Sequence, residues 1–291
     1  RPPKSTLFPY TTLFRSLNVN TVGQKPNTAG NPQSPWVYYS LADGEMIGST
    51  TTVARQRAWG DGRVAAPDLT YGVSVGALWT AHRGRAEFPD SGASMFVGDL
   101  DPTVAAAFSC ADSGVLLMWA HGHFDNDGTD TGAHTILQVG NGGNSKHGFS
   151  FQIHQSLRRA QLYGRSGADV SEVVWAAGAN NSLTAGVDAC IALVVDMATK
   201  VGTCYINGAP SGIPFAPTSG AMSLDAADAA NKVCVGGAYI GGSLDGSKSF
   251  LGSLQRVGLV KFAAMPTNLN DIVYELAMRR GVPGSLFQGV E

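Results

Sequence analysis

IALVVDMATKVGTCYING, residues 191–208, decides the fold. Two apolar runs flank the bend that begins at Asp196, and the phrase closes on Asn207-Gly208, so it reads as a two-stranded hairpin ending in an Asn-Gly turn. After Phe250 comes LGSLQRVGLVKFAAMP, one more strand, and then PTNLNDIVYELAMRRG, which carries helix signals. Asn268 or Asn270 can cap it, Asp271 falls in the first turn, Arg279 and Arg280 in the last, Gly281 stops it and Pro283 follows. Leu269, Ile272, Val273 and Leu276 share one face, which predicts packing against the sheets or over an edge.

Working outward, the apolar runs are short and bounded by Gly, Asn, Asp, Ser and Pro, with 37 glycines in 291 residues. That is how a many-stranded antiparallel protein reads. WVYYSL from Trp36 is a strand, ADGEMIGSTTTVARQRAWGDGR a polar interval, Ser94 to Val97 a strand, and Asp101 to Ser109 a short strand or one helical turn. Gly114 to Phe124, apolar on both faces at first, is a central strand covered on both sides. Thr135 to Val139, Phe149 to His154, Ala160 to Gly164 and Val173 to Ala176 continue the meander. The expected fold is an all-β, two-sheet antiparallel jelly-roll sandwich with a short C-terminal helix. No repeat at fixed period supports a blade or solenoid.

Composition excludes some roles. Net charge is −2 and no basic run exceeds a pair such as Arg158-Arg159, so the footprint of a nucleic-acid binder is missing. No apolar stretch approaches the roughly 20 residues of a membrane-spanning helix. The four cysteines, Cys110, Cys190, Cys204 and Cys234, form no C-x-x-C pair. If Asp196 pairs near Val201 to Thr203, Cys190 falls opposite residues 207–209 and Cys204 opposite residues 193–195, too far apart to bridge. Free, buried thiols are expected.

The N-terminus is set apart. Thr6 to Ser16, TLFPYTTLFRS, matches the translation of a sequencing-adapter oligonucleotide, so residues 1–16 are read as non-native and the natural start is open. Residues 17–35 read as a flexible lead-in, 36–286 as one domain and 287–291 as a tail.

Together these pieces resemble the laminin-G-like or concanavalin A-like lectin-glucanase jelly-roll superfamily in its bacterial or phage type. The resemblance rests on YYSLADGEMIGSTTTVARQRAWGDGR (Tyr38 to Arg63), WTAHRGRAEF (Trp79 to Phe88), the aspartate-bearing strand pair ending Y-I-N-G (Val194 to Gly208), the strand Phe250 to Leu259 and the helix Asn270 to Arg280. It implies a sandwich over about residues 36–286 and little about chemistry.

Several chemistries known from that superfamily can be tested on the residues. Its glycoside hydrolases need closely spaced carboxylates, E-x-D-x-E or E-x-D-x-x-E, and Glu45, Glu87, Glu172, Glu275 and Glu291 open or close no such run. Its alginate lyases use R-x-E, Q-[IV]-H and Y-x-K-x-G-x-Y motifs. Arg85-Ala86-Glu87 and Gln152-Ile153-His154 echo the first two, and the third is absent, so Arg85, Gln152 and His154 define a lyase alternative. His121, His123 and Asp125 alternate on one strand face and read as a polar rim where strand meets loop. A rim Ca²⁺ of the laminin-G kind would take Asp125, Asp127 and Asp130, hard oxygens close together in sequence. Of five tryptophans most should be core; Trp59, with Tyr163 beside Arg165, sits in loop context and offers exposed surfaces for a sugar. Gly140 to Gly148 lacks a phosphate-cradle pattern and reads as a hairpin loop.

The expectation that follows is a non-enzymatic module of an exterior surface. It would bind glycan or another surface or virion protein, as a phage or prophage fibre or decoration component, and a homo-oligomer would suit that role. The rivals are the lyase and a purely structural virion part.

Overall fold

A computed structural model describes residues 36–41, 46–50, 53–56, 58–60, 69–73, 80–81, 85–88, 94–110, 113–125, 132–141, 147–166, 172–212, 214, 224–240 and 243–278. Within them the chain is a two-sheet antiparallel sandwich with two short helices. The strands run in the order β1 (Trp36–Ser40), β2 (Met46–Thr50), β3 (Val53–Gln56), β4 (Ala58–Gly60), β5 (Leu69–Val73), β6 (Thr80–Ala81), β7 (Ala86–Phe88) and β8 (Ser94–Asp99). Helix α1 (Pro102–Phe108) leads into β9 (Val115–Phe124), β10 (Ala133–Gly140), β11 (His147–His154), β12 (Arg159–Ser166) and β13 (Glu172–Ala177). Then follow β14 (Val187–Asp196), β15 (Val201–Ile206), β16 (Ala209–Pro210), β17 (Lys232–Val235), β18 (Ala238–Ile240), β19 (Ser243–Asp245), β20 (Gly252–Phe262) and helix α2 (Leu269–Met278).

Among the described residues, sheet 1 runs β16-β15-β14-β9-β20-β1-β4, with β7 also on β20 and β6 on β7. Sheet 2 runs β13-β12-β11-β10-β17-β8-β5-β3-β2, and β18 pairs with β19 alone. The expected hairpin is β14-β15, with Asp196 opposite Val201 and Leu193 opposite Cys204. Asn207 (φ 50°) and Gly208 (φ 83°) then make the turn into β16, both in the left-handed region such a turn demands. The Asn207 amide NH donates to the Cys190 carbonyl, and its side-chain oxygen accepts from the Cys190 NH. All four cysteines are free and buried, and the register keeps Cys190 apart from Cys204 as expected. Burial raises the Cys110 thiol to about 11 and those of Cys190 and Cys204 to about 12.

β9 is the central strand, between β14 and β20. Its apolar residues on both faces have two destinations. Leu116, Met118 and Ala120 enter the core between the sheets, with Ile191, Leu193, Val257 and Leu259 from sheet 1 and Phe149, Phe151, Ile153, Leu162 and Trp175 from sheet 2. Val115, Leu117 and Trp119 point the other way and pack with Ile272, Val273 and Leu276 of α2. The helix thus covers a sheet face rather than an edge. It starts after Asn268, whose carbonyl accepts from the Ile272 NH. Gly258 opposite Trp119 is required there: an added Cβ would lie 2.1 Å from the indole.

Two sequence readings change. Residues 42–63 are not only a polar interval, because β2, β3 and β4 lie in them and extend an edge of each sheet. These strands are only three to five residues long, too short for an apolar alternation to stand out in the sequence. Asp101 to Ser109 is helix: the Asp101 carboxylate accepts from the Thr103 NH and Pro102 opens the first turn, while Val104, Ala105 and Phe108 are buried.

Candidate functional site

The outward face of sheet 2 carries the site. Along β11, Phe149, Phe151 and Ile153 go to the core, so Ser150, Gln152 and His154 face outward. On β12, Ala160 and Leu162 are core residues, and Gln161 and Tyr163 face outward. Register sets Ser150 opposite Tyr163, Gln152 opposite Gln161 and His154 opposite Arg159. These side chains, with Gln138 of β10, floor a cleft of about 350 Å³.

The β18-β19 hairpin makes one wall, through Ala238 and Ile240. Gln138 holds it in place as a surrogate strand residue: its side-chain NH₂ donates to the Tyr239 carbonyl at 2.9 Å and its oxygen accepts the Tyr239 NH at 2.9 Å. Lys248, in the 3₁₀ turn Gly246–Lys248, completes that side. The floor is a connected set of neutral polar groups. Gln161 donates to the Gln152 side-chain oxygen at 3.3 Å, and Gln152 donates to the Ser150 hydroxyl at 2.8 Å. Ser150, Gln152 and Gln161 are 8%, 6% and 4% exposed, so each amide has few orientations open to it.

One end of the cleft is basic. Lys248 and His154 line it and Arg159 stands opposite His154, while no Asp or Glu is among the described lining residues. Arg159 donates to Asn180 at 3.2 Å, and its buried Nε has no hydrogen-bond partner. Burial, then the Arg159 charge and then the Lys248 charge, hold the His154 pKa below its ordinary value.

A second polar group lies on sheet 1. Arg85, just before β7, makes a bidentate pair with Asp188 of β14. His123 of β9, in register with Asp188, is bonded to it through Nδ1 at 2.9 Å, and its Nε2 lies 3.5 Å from Asp125. Asp188 is about half exposed, and the Arg85 hydrogen bonds, aided by His123, hold its carboxyl well below the usual range. The pair is a satisfied ionic clasp.

The residues singled out from sequence therefore separate. Gln152 and His154 share the cleft, whereas Arg85 is on the other sheet, committed to Asp188, so the lyase constellation is not brought together. Tyr163 lines the cleft, and Arg165, whose side chain is outside the described set, follows it on β12 opposite Gly148. Trp59 is not in a loop as expected but in β4, opposite Tyr38 at the edge of sheet 1, and its side chain also lies outside the described residues. Asp127 and Asp130 of the calcium reading lie outside them too, while Asp125 is exposed beside His123. Among the described residues no three His, Cys, Asp or Glu side chains group as a metal site, and no helix is long and apolar enough to cross a membrane. Residues 1–35 and 279–291 are outside the described set.

Sequence reading passed over Gln138, Ser150, Gln161 and Lys248. A signal existed: β11 and β12 alternate apolar residues with amides and hydroxyls, where a merely solvated strand face more often carries charge.

No protein-family model matches the chain, and no curated protein matches it. Among solved structures, it is similar to the CBM40 of the Ruminococcus gnavus IT-sialidase bound to α2,3-sialyllactose, at 17% identity and TM-score 0.43, over 60% of this chain and 90% of that one. It is similar to the botulinum neurotoxin serotype D binding domain at 11% identity and TM-score 0.48, over 81% of this chain and 50% of that one. The leech intramolecular trans-sialidase matches at 14% identity and TM-score 0.43, over 63% of this chain and 27% of that one.

Proposed function

We propose that the protein is a non-catalytic glycan-binding module that uses the outward face of sheet 2. The observation that carries this reading is the floor of Gln138, Ser150, Gln152 and Gln161, nearly buried yet lining an open cleft. A sugar ring presents hydroxyls that both donate and accept, and primary amides do the same in fixed geometry. Tyr163 adds an aromatic surface to the cleft floor. The volume, about 350 Å³, is at the small end of ligand pockets and suits a short saccharide segment.

Two features support binding without turnover. The described lining residues include no carboxylate, and hydrolysis of a glycosidic bond by the usual route takes two. The arginine that a lyase would need beside Gln152 and His154 is spent on Asp188. We place the module on an exterior surface, as a phage or prophage fibre or decoration component; capsid, portal or tail genes beside its own are the test of that setting.

The reading of the cleft is tested on a glycan array with the full chain and with Tyr163→Ala and Gln161→Ala. Binding that is present in the parent chain and lost in both variants, each shown to be folded by a cooperative melt, is expected. Binding retained in both would remove the cleft from consideration. The shared position of Gln152 and His154 keeps one rival concrete: unsaturated-uronide absorbance on alginate, abolished in His154→Ala, would make the protein a lyase.

A further inference from the structure

We propose that the cleft selects acidic saccharides, with the anionic group of the sugar seated at the end where Lys248, His154 and Arg159 meet. This rests on the glycan-binding reading of the same cleft and adds the charge of the ligand. The first observation is the lining itself, which holds Lys248 and His154 and, among the described residues, no acid. The chain as a whole has net charge −2, so the basic end is a local reversal of sign.

The second observation is that these cations are uncommitted. Two described basic groups elsewhere take acids, Arg85 with Asp188 and Lys232 with Asp99, while Lys261 donates to the Ser109 carbonyl. Lys248 has no ion pair among the described residues, and Arg159 has only the neutral Asn180 as a side-chain partner. The Arg159 Nε is a buried donor with no acceptor, on the strand directly opposite His154.

The third observation is the state of His154. Burial and the two neighbouring cations favour its neutral form in the empty cleft. An anion bound there offsets the same two charges, so the imidazole protonates more readily in the complex, and by linkage the anion binds more tightly as pH falls. Other titratable or charged groups facing His154 from the packed strands are limited, among the described residues, to Arg159 on β12 and Lys248 beyond β19.

Calorimetry on the full chain tests this with three probes: a uronic-acid trisaccharide, its carboxyl-reduced neutral counterpart and a sulfated trisaccharide. The expected result is that an acidic probe binds at least tenfold more tightly than the neutral one, weakens with added salt, and loses roughly tenfold or more in Lys248→Gln. Lys248 is in a surface turn, so an unchanged melting temperature separates loss of charge from loss of fold. Preference for the uronide over the sulfated sugar, or the reverse, assigns the anion as carboxylate or sulfate. Equal binding of acidic and neutral probes, indifferent to Lys248→Gln, overturns the acidic preference and leaves the glycan reading standing. Acidic binding that survives Lys248→Gln and Tyr163→Ala together is electrostatic adhesion elsewhere and also overturns it. No binding of any probe, repeated across a neutral-glycan array, overturns both.

Discussion

The two sheets turn different faces outward. On sheet 1, Trp119, Tyr38, Leu117 and Val260 lie under α2, and the helix seals a second small core. On sheet 2, the equivalent surface is laid with Ser150, Gln152, Gln161 and Gln138 and left open as a cleft. Both faces belong to strands whose other side fills the same central core. The difference lies only in the outward half of each strand's alternation, and it separates a face built for stability from one built for contact.

Four substitutions sharpen that contrast. Trp119→Ala, on the sealed face, should cost about 3–5 kcal/mol in urea unfolding, while the variant, where folded, keeps parental glycan affinity. An unfolding midpoint within error of the parent would mean that the helix covers nothing of consequence. Gln152→Ala, on the open face, should cost about 1–3 kcal/mol, because it leaves Gln161 without its acceptor, and should abolish measurable glycan binding. Retained binding would break the division of labour between the faces.

Asp188→Asn removes the Arg85 clasp, whose carboxylate is about half exposed, so the loss at neutral pH should stay under about 1 kcal/mol. The Asp188 carboxyl is held low in the folded state, so its contribution is present above the ordinary aspartate range and is lost as pH falls through and below it. The parent should therefore lose more stability than Asp188→Asn between neutral pH and strong acid. Coincident acid-unfolding curves would show the clasp to be idle.

The smallest effect belongs to His154. Its folded pKa is lowered, so the unfolded chain takes up the proton first, and the ligand-free protein should lose stability as pH falls below the ordinary histidine value. In His154→Gln that slope should flatten between mildly alkaline and mildly acidic pH, as read by thermal melts. Saturating acidic saccharide should shrink or reverse it in the parent alone. A slope unchanged by the substitution would detach His154 from the charge balance of the cleft.

The hairpin Ile191 to Gly208, the doubly apolar β9 and the signals around α2 were legible because each is local: a turn dipeptide, a run of one hydropathy, a cap and a stop. The strands β2 to β4 were not, since MIGST, VARQ and AWG are short and carry no sustained apolar alternation. Of the cleft, Gln152 and His154 were picked out as one motif and grouped with Arg85 by motif order alone, while Tyr163 was picked out separately as an exposed aromatic. Order along the chain carries no information about which of two packed sheets a residue joins. Lys248 and Gln138 could not be found at all, because each acts through a strand more than ninety residues away or across a wall made elsewhere.

What the sequence determined by itself was the class of fold and the inward side of nearly every long strand, since apolar periodicity is enough to say which residues must leave water. What only the tertiary structure decided was the use of the outward sides. A helix from the end of the chain covered one, the β18-β19 hairpin walled the other, and His154 of β11 and Lys248 of the turn after β19 came to line one cleft, with Arg159 of β12 opposite His154. Those meetings depend on long-range packing, in which charge and hydrogen-bonding groups acquire partners, or are left without them, only after the core has set their positions.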